Sequence, residues 1–219
     1  MERLRGLRSQ RAAGQSGRPN RRARHPVRHP DESIQRYASG SPTHCAIASI
    51  LAILQDNGIT PQDIDRIHVT LPTLEQSLLT HALTLNINFE YIIAVAALDG
   101  GVSWEQYSEE RQRDPELRDL HARVTSAGDP ELDVAKQANE GSRPAEVKLT
   151  TKDGQTFTKR MLYPPGHPKN PLSQEELDEK FMFWSTKVIP TAQATKLREM
   201  VARLDEVADV NEVGTLLRI

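Results

Sequence analysis

Apolar side chains recur every three or four residues in several stretches of the chain, which is the spacing of an amphipathic helix. Residues 42–57 form the first such stretch and meet Gly58, a residue typical of helix ends. Its apolar face consists of Ala46, Ile47, Ile50, Ile53 and Leu54. Residues 74–83 predict another helix, and residues 88–98 are apolar almost throughout, which predicts a helix buried on all sides.

Capping signals and a long periodic stretch predict more helices further along the chain. Ser103 can cap a helix through Glu110, because its hydroxyl can accept from a free backbone amide. Pro115 can open the next helix, since its fixed φ suits the first helical position. That helix would carry Leu117, Leu120 and Val124. Residues 191–219 carry apolar side chains at mostly helical intervals: Met200, Val201, Leu204, Val207, Val210, Val213, Leu216 and Leu217.

Strand signals occur in two places. Residues 64–71 alternate apolar and polar side chains up to Pro72, which predicts a strand. Residues 145–151 and 155–163 flank Lys152-Asp153-Gly154, a strong hairpin turn, and predict two antiparallel strands. We expect the early strand to join this hairpin. The predicted fold class is α+β: a small antiparallel sheet with helices packed on one face, followed by C-terminal helices.

Charge divides the chain into two unequal parts. Its formal net charge is −2, but residues 1–30 hold nine Arg and one Glu, so the remainder carries −10. The first 32 residues lack a periodic apolar face, and we expect them to form a disordered basic arm. Binding to nucleic acid is one alternative, but the arm has no aromatic residue to stack on bases, which favours a solvated tail without such a partner. A second alternative is non-native sequence upstream of a truncated reading frame.

The composition of the full chain is that of an ordinary soluble protein, with 37% hydrophobic and 26% charged residues. No apolar run approaches the roughly 20 residues that cross a bilayer, and no signal peptide is evident, so we expect a cytoplasmic protein without a membrane partner. The lone Cys45 lies in an apolar run, which favours a buried structural thiol over a nucleophile. No metal-ligand spacing or phosphate loop occurs, so we expect neither a metal nor a cofactor.

A proline-rich segment at residues 163–173 interrupts the regular pattern. Proline fixes φ and removes an amide donor, while Gly166 permits a turn closed to other residues. We expect a stiff, extended crossing here. Ser173 and Glu176 then form a capping box that starts a helix through Phe181. The segment contains His167 and Lys169, for which the rigid setting favours packing and surface roles.

This segment, together with residues 33–44, 67–72 and 87–102 in the same order, resembles the MmgE/PrpD family. That family includes 2-methylcitrate dehydratases, cis-aconitate decarboxylases and iminodisuccinate epimerases. Its members are expected to combine a large helical domain with a smaller α+β domain, and the resemblance covers only the smaller one. It implies three parts: the arm at 1–32, the α+β domain at 33–185, and C-terminal helices at 186–219 that would pack on a helical domain. In a chain without that domain, their apolar stripe implies self-association or a helical-domain partner.

The resemblance also implies a chemistry, because family members remove a proton next to a carboxylate of a small polycarboxylate and expel a neighbouring group. Arg36 would bind a substrate carboxylate, while Tyr37 and His44 would be catalytic, as hydrogen-bond donor and as acid or base. The alternatives are a solvated arginine, a packed tyrosine and a structural histidine. Gln35 stands where many relatives have lysine, and residues 84–88 lack an acidic side chain usual there, which weakens the catalytic interpretation.

The sequence therefore favours the C-terminal part of a lyase with 2-methylcitrate dehydratase-like elimination, a reaction of propionate metabolism, that needs a helical-domain partner. The alternative is a catalytically inactive interaction module or truncated remnant. Dehydratase, decarboxylase and epimerase chemistry all stay open at this point.

Overall fold

The computed structural model describes residues 33–80 and 82–218. The chain divides into residues 1–30 and residues 31–219, and the described residues all belong to the second unit. The predicted basic arm lies outside the described residues. No helix in the described part of the chain is both long enough and apolar enough to cross a membrane.

A four-stranded sheet forms the centre of the fold, in the order β2-β1-β3-β4. β3 pairs antiparallel with both β1 and β4, whereas β1 and β2 run parallel. Val69 in the middle of β1 lies opposite Val147 of β3 and Ser126 of β2. The strands are β1 (Ile64–Leu71), β2 (Val124–Gly128), β3 (Ala145–Thr151) and β4 (Thr156–Met161).

Helices connect and cover these strands. The α-helices of the described residues are α1 (His44–Asn57), α2 (Thr73–Leu79), α3 (Phe89–Asp99), α4 (Glu109–Arg113), α5 (Pro115–His121), α6 (Pro130–Ala138), α7 (Gln174–Ser185), α8 (Thr191–Ala202) and α9 (Asn211–Leu216). Short 3-10 turns occupy Ser41–Thr43, Pro61–Asp63, Leu85–Ile87, Trp104–Tyr107 and Leu204–Glu206.

The predicted α+β class is confirmed, and so are the strand at 64–71 and the two hairpin strands. The sheet contains one more strand than predicted, β2, whose parallel pairing with β1 makes the sheet mixed. The predicted helix with Leu117, Leu120 and Val124 was too long. It ends at His121, and Val124 instead opens β2 opposite Ile67, where its side chain is buried.

Capping residues set the helix boundaries that sequence periodicity missed. Ser103 does accept from the Glu105 amide, but it starts a 3-10 turn, and the separate helix α4 begins after Ser108. The prediction of one helix through Glu110 was therefore wrong. Helix α6 was not predicted. Asp129 caps it by accepting from the Glu131 amide, with proline in the first helical position.

The main core lies on one face of the sheet, against α1 and α3. In β1 the side chains of Ile67, Val69 and Leu71 have no exposed surface. Helix α3 is buried on nearly every side, as its almost continuous apolar sequence predicts. The other face of the sheet is polar, with one row crossing all four strands at Thr125, His68, Lys148 and Thr158.

Helices α7 to α9 form a second, smaller core of their own. Its buried residues are Ile189, Ala194 and Leu197. Side chains of α7 and α9 pack against these three residues: Phe181, Met182, Val213 and Leu216. Apolar side chains at least half exposed remain around this bundle: Val188, Val201, Leu204, Val210 and Leu217.

The proline-rich segment is a compact turn and not the extended crossing that its prolines predict. Gly166 has a φ of +90°, and its amide donates to the Asn170 carbonyl at 2.8 Å. The Asn170 amide donates to the His167 carbonyl at 2.7 Å. Glycine is required because a Cβ atom on Gly166 would lie 1.9 Å from the carbonyl oxygen of Ile34. The turn therefore packs directly on the segment before α1.

Candidate functional site

Residues 33–40, which carry two of the three candidate residues, are held by backbone hydrogen bonds to three different loops. The Ile34 amide donates to the Gly166 carbonyl at 3.0 Å. The Ala38 amide donates to the Val102 carbonyl at 3.1 Å. In the segment before α3, the Asn86 carbonyl accepts from the Gly40 amide at 2.8 Å. The proline-rich turn and the loops before and after α3 thus fix the position of this segment ahead of α1.

Arg36 is bound by the first turn of α7. Its Nη1 lies 2.6 Å from Oε1 of Glu176. The predicted capping box is confirmed, because Oε2 of the same carboxylate accepts from the Ser173 amide at 2.8 Å and the Ser173 hydroxyl accepts from the Glu176 amide at 3.2 Å. Glu176 therefore does two things at once: one oxygen closes the helix cap and the other binds the arginine.

Tyr37 and His44 lie in contact, edge to face, with ring centroids 5.4 Å apart. His44 is the first residue of α1 and only 2% exposed. Its Nε2 lies 3.2 Å from the Ser39 carbonyl oxygen. Because a carbonyl can only accept, Nε2 carries the proton of the neutral ring.

Burial controls the protonation of this aromatic pair. It lowers the pKa of His44 below its usual value of 6.5, a shift that the nearby charge of Lys180 reinforces and the bond to Ser39 opposes. Burial raises the pKa of Tyr37, and the Arg36 charge offsets part of that increase. Near neutral pH the site therefore holds a neutral imidazole and a protonated phenol.

A cleft of about 350 Å³ opens beside Arg36 and Tyr37. The loop at residues 99–103 lines it, together with α7 through Glu176 and Lys180. His44 is not among the residues that line this cleft, since its imidazole is buried against the Tyr37 ring. The structure thus brings Arg36 and Tyr37 to one opening and places His44 inside the protein next to them.

Most carboxylates at this cleft are paired with a cation. The pairs are Glu176 with Arg36 at 2.6 Å, Asp99 with Arg111 at 2.5 Å and Glu105 with Lys187 at 2.5 Å. Lys180 differs from the other cations, because within residues 33–80 and 82–218 it has no carboxylate within 4.0 Å. Its Nζ donates instead to the backbone carbonyl of Gln35.

Glu176 and Lys180 both lie on α7, in the helix predicted after the proline-rich segment, but the sequence assigned Glu176 only a capping role and Lys180 no role at the site. The four-residue spacing between Glu176 and Lys180 is the sequence signal that could have paired them. Residues four apart on a helix lie on the same face, so α7 presents both side chains to the segment before α1. Only the packing of α7 against that segment shows which face this is.

His167 and Lys169 support the turn, in agreement with the predicted packing and surface roles. His167 is 6% exposed and stacks on the ring of Tyr163, with centroids 4.5 Å apart. Lys169 Nζ donates to the Tyr163 hydroxyl at 2.7 Å. Both residues therefore hold the turn against Tyr163.

Cys45 is the buried structural thiol that its apolar surroundings predict. It has no exposed surface, and burial raises its pKa to about 12. The thiol is therefore not ionised at neutral pH. Across residues 33–80 and 82–218, no three or more His, Cys, Asp or Glu side chains are grouped to bind a metal ion.

Known proteins resemble this chain along most of its length. Human cis-aconitate decarboxylase is 27% identical over 196 residues, which cover 86% of this chain and 40% of that protein. Mouse cis-aconitate decarboxylase is 28% identical over 131 residues, 60% of this chain and 26% of that protein. The chain thus spans well under half the length of these relatives.

The sequence model of the MmgE/PrpD C-terminal domain matches residues 37–206, which include Tyr37, His44, the sheet and helix α7. That match covers well over half of the 219 residues. The resemblance carried by the proline-rich segment and the three segments before it is therefore confirmed, and the chain belongs to the MmgE/PrpD family through its C-terminal domain.

Proposed function

We propose that this chain forms one wall of the active site of a lyase that acts on small polycarboxylates. The observation that carries the proposal is the placement of Arg36 beside Tyr37 at an open cleft, with the guanidinium held by Glu176. That bond uses Nη1 alone, and the Tyr37 hydroxyl is also bonded to the guanidinium. Its remaining donors suit a carboxylate, with which arginine forms two parallel hydrogen bonds.

Each candidate residue has a proposed role in elimination. Arg36 binds a substrate carboxylate and stabilises the charge that grows on it when the neighbouring carbon loses a proton. Tyr37, protonated near neutral pH, donates a hydrogen bond at the cleft. His44 acts as the acid or base, and its neutral ring is in the form that accepts a proton. The residue is 2% exposed, so contact with substrate requires the side chains around it, including Tyr37, to move.

The other wall of the site is proposed to come from a helical domain outside this chain. Two observations support this: the cleft is open, and the chain covers 40% of human cis-aconitate decarboxylase. The exposed apolar side chains around α8 and α9 are the proposed contact surface, for a helical-domain partner or for a second copy of the chain. Activity of the chain alone is not expected.

Two reactions are compatible with the residues on this side of the proposed active site. In 2-methylcitrate dehydratase-like elimination, the base removes a carbon-bound proton and the adjacent hydroxyl leaves as water after protonation. The second candidate is decarboxylation of cis-aconitate, in which carbon dioxide leaves and a proton is added to carbon. The names of the two curated relatives favour this second reaction. Both reactions need a cation for the remaining carboxylates and a proton-transfer group.

A complementation assay tests the proposal. The purified chain is incubated with 2-methylcitrate or cis-aconitate, alone and with the helical-domain fragment of a family member, and product is measured. Turnover is expected only in the mixture. Arg36→Ala should reduce kcat/KM at least about tenfold, because a charge-assisted hydrogen bond contributes roughly 1.5–3 kcal/mol. Arg66→Ala is the matched control, since Arg66 lies exposed on β1 beside Asp65 and does not line the cleft.

The mixture also distinguishes the proposed enzyme from an inactive remnant. No product in either sample, with both fragments folded and bound to each other, would favour an inactive interaction module. Equal loss of activity in Arg36→Ala and Arg66→Ala would assign the effect of Arg36 to general charge and not to a bound carboxylate.

A further inference from the structure

Lys180 is an ammonium group at the cleft that has no carboxylate partner among the described residues. The neighbouring cations Arg36, Arg111 and Lys187 each have a carboxylate within 2.6 Å. Lys180 is partly buried and donates to a backbone carbonyl, which leaves its positive charge uncompensated by a formal negative charge. An uncompensated, partly buried cation at a cleft favours an anionic ligand.

The position of this ammonium is set by two contacts. Lys180 lies one helical turn after Glu176 on α7, and Glu176 binds Arg36. Its Nζ bonds the carbonyl of Gln35, the residue directly before Arg36. Burial lowers the pKa of Lys180, and the charge of Arg36 lowers it further. A bound anion between these two cations would relieve their repulsion.

We propose that Lys180 is a second carboxylate-binding residue, and that together with Arg36 it selects ligands that carry at least two carboxylates. This inference rests on the proposed function, because it names the substrate class of the same cleft. Arg36 offers a planar fork to one carboxylate, and Lys180 offers a point charge to another. A monocarboxylate can satisfy only one of the two.

Lys180 bonds the backbone of Gln35, the residue at which this chain departs from many relatives. The family resemblance implies a lysine at that position, and its replacement removes a cation from the segment before α1. The ammonium of Lys180 reaches the carbonyl of the same residue from α7. Lys180 is therefore the cation that lies beside Arg36 at the cleft.

Binding of an unreactive tricarboxylate tests this inference separately from turnover. The probe is tricarballylate, titrated into the isotope-labelled full chain and followed by NMR, with acetate as the monocarboxylate comparison. Lys180→Gln should weaken tricarballylate binding about tenfold, the loss expected for one charge-assisted bond, and leave acetate binding nearly unchanged. Lys180→Arg, which keeps the charge, should restore most of the affinity.

Lys152→Gln is the control for net charge, because Lys152 is exposed in the turn between β3 and β4. It should change the affinity less than about twofold, the size of effect expected for a screened, distant charge. Absence of tricarballylate binding by the unmodified chain, or equal affinity of the Lys180→Gln and Lys152→Gln proteins, would overturn the inference. Amide spectra of each variant establish that it is folded.

The two proposals fail in different ways. Weaker tricarballylate binding in Lys180→Gln, with no turnover in any mixture, supports the anion site and contradicts the lyase proposal. Turnover in the mixture with an unchanged KM in Lys180→Gln supports the lyase and contradicts the role of Lys180.

Discussion

Nη1 of Arg36 lies 2.6 Å from Oε1 of Glu176, although the two residues are 140 positions apart in the chain. This bond connects the segment before α1 to the first turn of α7, and both elements line the cleft. The same carboxylate closes the helix cap with Ser173. The start of α7 and the orientation of the arginine therefore depend on one side chain.

A double-mutant cycle measures this connection. Glu176→Gln keeps a side chain able to complete the capping box but removes the charge that binds Arg36. Both side chains are about one-third exposed, so the expected coupling between Arg36→Ala and Glu176→Gln is small, about 0.5 kcal/mol in urea denaturation. Ser173→Ala should instead cost about 1 kcal/mol through the cap alone. Coupling indistinguishable from zero would mean that the ion pair does not hold the arginine.

Gly166 is predicted to be one of the least replaceable residues of the proline-rich segment. Gly166→Ala should cost more than about 3 kcal/mol, because a positive φ of 90° is combined with a direct clash against the backbone of Ile34. Gly154→Ala is the matched control, since Gly154 has a φ of +86° but open space around it. It should cost only about 1 kcal/mol. Thermal or urea denaturation of both variants gives the comparison, and equal losses would contradict the packing of the turn on Ile34.

Cys45 is predicted to be unreactive in the native protein. The thiolate is the reactive form, and a pKa of about 12 with no exposed surface suppresses it. Iodoacetamide near pH 8 should label the native chain only as fast as it unfolds, and should label it fully in denaturing urea. Rapid labelling of the native chain would contradict the buried placement. Cys45→Ala should keep turnover in the complementation mixture, because the thiol is not a proposed catalytic group.

His44 is predicted to make stability depend on pH below neutrality. Burial lowers its pKa in the folded state, so as the pH falls through the usual value of 6.5 the unfolded chain binds a proton that the folded chain resists. Stability is then full above that value and decreases toward acid. Urea denaturation between neutral and mildly acidic pH should show a steeper loss for the unmodified chain than for His44→Gln. Parallel losses in the two proteins would contradict a lowered pKa.

Local sequence signals predicted the elements whose pattern lies within one segment. The alternation of β1, the turn of the β3–β4 hairpin and the glycine after α1 each act over a few residues, and all three are present, with Gly58 at a φ of +64°. Strand β2 was missed because it is only five residues long and its sequence is weakly apolar. Its partner in the sheet is β1, more than fifty residues earlier, as in the hydrogen bond between His68 and Thr125.

The candidate site likewise combines residues that a local pattern identified with contacts that depend on distant parts of the chain. The segment with Arg36 and Tyr37 was identified from the sequence, and the structure places both residues at the cleft. The spacing of Glu176 and Lys180 indicates a shared helix face, but the bond of Lys180 to Gln35 was not predictable, because it joins residues 145 positions apart. The burial of His44 also depends on packing against Tyr37 and on the position of α1, which no single-residue pattern specifies.

The decisive measurement for a shared active site is product formation from cis-aconitate and 2-methylcitrate, by the chain alone and by its mixture with a helical-domain fragment. Light scattering of the same samples reports whether the two pieces associate. We expect association, turnover by the mixture only, and a loss of at least about tenfold in Arg36→Ala but not in Arg66→Ala. Full turnover by the isolated chain, or an associated mixture that forms no product, would contradict a shared active site.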